Sequence, residues 1–181
     1  MRTASIATAA ALLAALTLTA CGGSDDGDGG KAAEETAKSD STACTADGVD
    51  LEVGPSSAAP AVGDEGAVPV TVTNTGAACT LKGIAGVELT AGDSSWKLQP
   101  QEGASQETQL TLEADQSMTF TISYVRGAAD DAEKGAAVTQ LDVTLPKDST
   151  AHTFKWPDPE VAIKSADVLE ATVGPFLPAG D

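Results

Sequence analysis

The clearest chemistry in this chain lies near its start, in Leu18-Thr19-Ala20-Cys21: a small residue, then a cysteine. These residues close an uncharged, Ala- and Leu-rich run from Ile6 to Ala20, which follows the basic Arg2. The run is the length of a secretory h-region and too short to cross a bilayer permanently. The pattern reads as a lipobox. In bacterial lipoproteins the thiol at this position is diacylated and the preceding peptide bond is cut, so the mature chain would begin at Cys21. One acyl chain binds a membrane marginally, whereas two anchor it stably. An ordinary signal peptide cut before a chance cysteine is the competing reading. The expectation is a protein held by a diacylglyceryl anchor on Cys21 to the extracytoplasmic face of the cell membrane, with residues 1–20 as the signal.

Other residue types that could do chemistry are sparse. Cys44 and Cys79 form an even number in an oxidising compartment, and neither has a CxxC or metal-ligand spacing. They either pair or remain two free thiols. The single histidine, His152, shares parity with Phe154 and Trp156 and should lie partly buried at a strand start. With no GxSxG turn, it is a poor base for a Ser-His-Asp site. One histidine, one methionine outside the initiator and two cysteines do not supply the three or four soft ligands of a zinc or copper site. Asp25-Asp26-Gly27-Asp28-Gly29 and Asp130-Asp131-Ala132-Glu133 are carboxylate clusters, but neither follows the EF-hand spacing. They read as linker solvation and a solvated loop. No cofactor or metal site is expected, and no catalytic residue.

Charge narrows the partners. The 27 acidic residues against 10 basic ones give −17, which argues against nucleic acid and against anionic headgroups as ligands of the protein surface. Most of this charge reads as a solvated surface. Residues 21–43 are rich in Gly, Ala, Ser and acid with no aromatic or β-branched aliphatic residue, so a disordered stalk is expected. As a Gly-rich coil it would hold a domain on the order of 25 Å from the lipid. Residues 44–181 are the right size for one domain.

Within that domain the period is two. Val68, Val70 and Val72 alternate with polar or small positions before the turn signal Asn74-Thr75-Gly76, and Met118, Phe120, Ile122 and Tyr124 alternate with Thr119, Thr121 and Ser123. Shorter alternations occur at Leu51/Val53, Val87/Leu89, Trp96/Leu98, Leu110/Leu112, Leu141/Val143/Leu145, Phe154/Trp156 and Leu169/Ala171/Val173. Eight or nine strands are predicted, with at most one or two helical turns between Ala128 and Ala137. The class is all-β, a two-layer antiparallel sandwich. Pro69, which cannot donate to a ladder, predicts an edge strand or an unpaired first position. Phe154 and Trp156 are expected inside; Trp96, beside a turn, is the aromatic that could instead be a partly exposed contact.

Thr73-Asn74-Thr75-Gly76, Cys79-Thr80-Leu81-Lys82-Gly83, Val87-Glu88-Leu89, the earlier Cys44 and the late Val173-Gly174-Pro175-Phe176 together resemble the DUF4232 domain of actinobacterial exported proteins and lipoproteins. Members usually carry an aromatic and a proline after that glycine, where this chain has Ile84 and Ala85. The resemblance implies an immunoglobulin-like β-sandwich with Cys44 bridged to Cys79, and no activity. The functional expectation is therefore a tethered binding module for an envelope or extracellular protein, and not an enzyme. The alternatives are an envelope hydrolase or metal-dependent enzyme using surface carboxylates, and a purely structural envelope protein.

Overall fold

The computed structural model describes residues 42–158 and 160–179. Cys21, the signal, nearly all of the linker and the cluster at Asp25 lie outside the described residues. The expected class holds: every regular element except one short 3-10 turn at Ala46–Gly48 is a strand, and the sheets are antiparallel apart from one pair.

The first sheet is ordered β1 (Val49–Val53), β2 (Glu65–Asn74), β8 (Ser117–Val125), β14 (Ala171–Val173) and β6 (Gln99–Pro100), with β15 (Leu177–Pro178) also on β8. β6 runs parallel to β14. The two long strands form as their alternation predicts, because Val68, Val70 and Val72 face Ile122, Phe120 and Met118 across one register. All six are buried, and each such side chain contributes roughly 1.5–3 kcal/mol of apolar burial. Phe176, carried by the bend between β14 and β15, meets the Phe120 ring edge-on at 5.3 Å.

The second sheet is ordered β11 (Ala151–Lys155), β10 (Gln140–Thr144), β4 (Gly86–Ala91) and β5 (Ser94–Lys97). Leu141 and Val143 point into the same core as Val87 and Leu89. Two smaller sheets complete the structure: β3 (Cys79–Lys82) with β7 (Gln109–Leu112), and β13 (Val168–Leu169), β12 (Val161–Ser165) and β9 (Gly135–Ala136). One hydrophobic cluster draws on all of these sheets.

Three expectations are corrected. The described residues contain fifteen strands, because short pairs such as β6, β9 and β13 have too few residues to show a period. The segment Ala128–Ala137 holds turns and β9 rather than a helical turn. β2 is not an edge strand, since it is paired on both sides. Pro69 is accommodated because its carbonyl accepts from Gly54 N–H at 2.9 Å just where β1 ends. The bond a proline cannot make is the reciprocal of that one, and β1 has already left the ladder there.

Candidate functional site

The outward positions of the first sheet build the floor of a groove of about 700 Å³. Ala67, Ser123, Thr172 and Gln99 lie in one register row across β2, β8, β14 and β6. They are the polar or small halves of alternations whose other halves, such as Tyr124 and Val68, face the core. Glu65 and Glu170 sit at one end of this floor, and Gln101, Lys164 and Val168 contribute from the rim. The lining thus mixes amide and hydroxyl groups, two carboxylates and one ammonium with the apolar Val125, Val168, Leu169 and Ala171.

Two devices fix the groove walls. On one side the β1–β2 loop folds back so that Ser57 and Ala67 exchange both backbone hydrogen bonds, at 2.8 and 2.9 Å. Arg126 Nη1 donates to the carbonyls of Ala59 and Pro60, both at 3.0 Å, and Ser56 Oγ donates to Asp158 Oδ1 at 2.6 Å. The Ala59 N–H donates to the phenol oxygen of Tyr124 at 3.2 Å. That phenol is buried, and burial pushes its pKa up, with the nearby Asp158 carboxylate adding to the rise and the Ala59 bond opposing it. The Tyr124 ring meets Trp156 edge-on at 5.4 Å.

On the other side, Trp96 Nε1 donates to the Ala166 carbonyl at 3.1 Å, pinning the β12–β13 turn that brings Lys164 and Val168 to the rim. Trp96 is buried. It is therefore a clamp and not an exposed contact residue, a role set by a partner 70 positions away. Trp156 is buried as expected, whereas Phe154 is half-buried against the core.

The structure separates the other residues singled out above. Cys44 and Cys79 form a disulfide. His152 is half-buried on β11, and its buried Nε2 has no hydrogen-bond partner among the described residues. The neighbouring carboxylate, Asp142, sits in register with Thr153 and accepts from Thr153 Oγ1 and Gln140 Nε2. Adjacent register rows point to opposite faces of a sheet, so Asp142 does not orient His152. Asp131 pairs with Lys134 at 2.7 Å and accepts from the Glu133 N–H at 3.0 Å. The Lys134 ammonium holds its carboxyl below the usual range. That charge is engaged within its own turn, and among the described residues no three His, Cys, Asp or Glu side chains converge as metal ligands.

Sequence reasoning missed what Asn74 does. Asn74 reads only as a turn former, yet it is buried and donates to the carbonyls of Ala77, Leu112 and Glu113 at 2.9, 2.9 and 3.2 Å. Its Oδ1 accepts from Gly76 N–H at 2.9 Å. One amide thereby fixes the turn before Cys79 and joins it to the end of β7.

Comparison with curated proteins finds no match. Residues 44–177 match the family described as a domain of unknown function, DUF4232, with Cys44 opening the match and the closing segment after Val173 inside it. The chain belongs to the DUF4232 family.

Proposed function

We propose that this protein is a non-catalytic binding module, tethered to the outer face of a cell membrane by acyl chains on Cys21. The groove across β2, β8, β14 and β6 is its ligand-contacting surface. The observation that carries this reading is the row Ala67, Ser123, Thr172 and Gln99, which presents hydroxyl and amide groups on a rigid sheet beneath walls clamped from both sides. Sites on strands hold their groups in place better than sites on loops. The lining offers many hydrogen-bond donors and acceptors but a carboxylate excess, so it suits a neutral or cationic polar ligand and disfavours an anionic one. The lipobox and the acidic Gly-rich stalk support a position at the envelope.

Two experiments test this reading. A photo-crosslinking amino acid at Thr172 in the full chain should capture a partner on intact cells that the same group at Asp93, in the β4–β5 turn, does not. The adduct should disappear when Ser123→Arg fills the groove. Equal capture at both positions overturns the groove assignment. Separately, Cys21→Ala should release the protein from the membrane or leave it unprocessed; a variant still cleaved and lipid-modified refutes the anchor.

A further inference from the structure

We infer that the free edge of β11 is a self-association surface, on which a second copy of this chain docks antiparallel, β11 against β11, centred on Thr153. The phase of the ladder identifies the free groups. Trp156 N–H donates to the Thr139 carbonyl at 3.1 Å, flanking the Lys155 and Gln140 pair. In an antiparallel ladder, His152 and Phe154 then spend their backbone groups on β10, while Ala151, Thr153 and Lys155 direct theirs outward. Among the described residues β11 pairs only with β10.

Self-complementarity selects the occupant. A two-fold pairing centred on Thr153 sets Ala151 opposite the Lys155 of the second copy and His152 opposite its Phe154. No like charges meet, and three reciprocal hydrogen-bonded pairs form. The edges of β1 and β5 do not favour this. β1 frees the backbone groups of Val49, Leu51 and Val53, because Thr75 N–H donates to the Gly48 carbonyl and so sets its phase. Centred on Leu51, it would oppose Asp50 to Glu52 twice, a repulsive arrangement of the kind that protects edges. β5 has only four residues and is overlaid by the turn that Trp96 holds. β11 is the five-residue edge that carries no acid in a chain of charge −17.

One strand pair buries less than the roughly 1,200 Å² of a stable specific interface, so the association is weak. Each copy is strongly negative, so salt should strengthen it by screening the repulsion between the two bodies. An interface built on ion pairs responds the other way.

The test uses the full chain with Cys21→Ser, which removes the third cysteine. Thr153→Cys in this background should give an intermolecular disulfide on mild oxidation, since residues in a hydrogen-bonded antiparallel pair sit about 5.5 Å apart, within disulfide range. Ala151→Cys alone should not, because its counterpart lies about 14 Å away in this register. Mixed with Lys155→Cys it should crosslink. In sedimentation equilibrium, Thr153→Pro should weaken dimerisation at least about tenfold by removing the central donor. Its N–H faces outward, so the thermal transition should remain. Equal crosslinking by Thr153→Cys and Ala151→Cys, or a dimer that weakens with added salt, overturns the assignment.

Discussion

Asp148, in the turn between β10 and β11, accepts a hydrogen bond at 2.7 Å from the backbone N–H of Ala46, 102 positions earlier. Its other oxygen accepts from Thr150 N–H at 2.9 Å. The Thr150 bond first and the Ala46 bond second hold this carboxyl below the ordinary aspartate range. A carboxyl whose folded pKa is depressed gives stability that is present above its unfolded value, about 3.9, and is lost as pH falls through the folded one. The melting temperature should therefore fall on acidification below about pH 4, and Asp148→Asn should lower it at pH 7 while flattening the acid limb. An acid limb of unchanged slope in the variant would count against this role.

Asn74 should be the most sensitive polar position. Replacing it with alanine leaves the Leu112, Ala77 and Glu113 carbonyls and the Gly76 N–H without their partner in a largely dry site. Each unsatisfied buried group costs about 1–3 kcal/mol. A loss of roughly 3–5 kcal/mol, or on the order of 10 °C in thermal melting, is expected. Asn74→Asp should be at least as harmful, since a carboxylate offers those carbonyls no donor. A shift under about 2 °C in both variants would show that the turn holds without the amide.

Why these residues escaped sequence reasoning follows from the physics of each. A strand such as β8 declares itself because its period of two extends over nine residues, and burial of every second side chain is what holds it in place. Asn74, Trp96 and Asp148 act through partners 38, 70 and 102 positions away, and no local pattern encodes such a distance. The groove was invisible for the same reason: its floor is a row across four strands, one of them, β6, only two residues long. A proline signals an edge only where the ladder beside it is continuous, and at Pro69 β1 stops one residue before the missing donor would matter. The disulfide, by contrast, was legible as a choice between pairing and free thiols, and the fold settles it by placing Cys44 beside β3, with its N–H donating to the Thr80 carbonyl at 2.9 Å.

Removing that bridge should cost stability without destroying the fold. The two cysteines are 35 positions apart, and closing a loop of that length restricts the unfolded chain by about 4 kcal/mol in the loop-entropy treatment. Cys44→Ser or reduction should lower the melting temperature by roughly 8–15 °C. The bonds from the Cys44 N–H to the Thr80 carbonyl and from the Ala46 N–H to the Asp148 carboxylate remain, so far-ultraviolet circular dichroism at 20 °C should stay that of a β protein. An unchanged melting point on reduction would mean the unfolded chain gains no freedom when the bridge opens.

The alkaline side of the stability curve should belong to Tyr124. Its phenol is buried beneath the strapped β1–β2 loop, and burial stabilises the neutral form, raising the folded pKa. With the sign worked through, stability from this group is fully present below the unfolded value of about 10 and is lost as pH rises through the folded one, because ionisation would place a charge in the core next to Asp158. Unfolding should therefore set in above about pH 10. Tyr124→Phe removes the ionisable group but also the acceptor for Ala59 N–H, so it should cost roughly 1–2 kcal/mol at pH 7 and yet resist alkali better than the parent. Gly66 provides the matching steric test. A Cβ there would lie 2.4 Å from the Tyr124 ring, which must then move. Gly66→Ala should cost about 1–3 kcal/mol through overpacking. It should also open the loop, since the Ala59 bond depends on where the ring sits, and amide exchange at Ala59 should quicken in the alanine variant while that at Val70, deep in β2, changes only with global stability. If both amides respond equally, the loop is not held by the phenol.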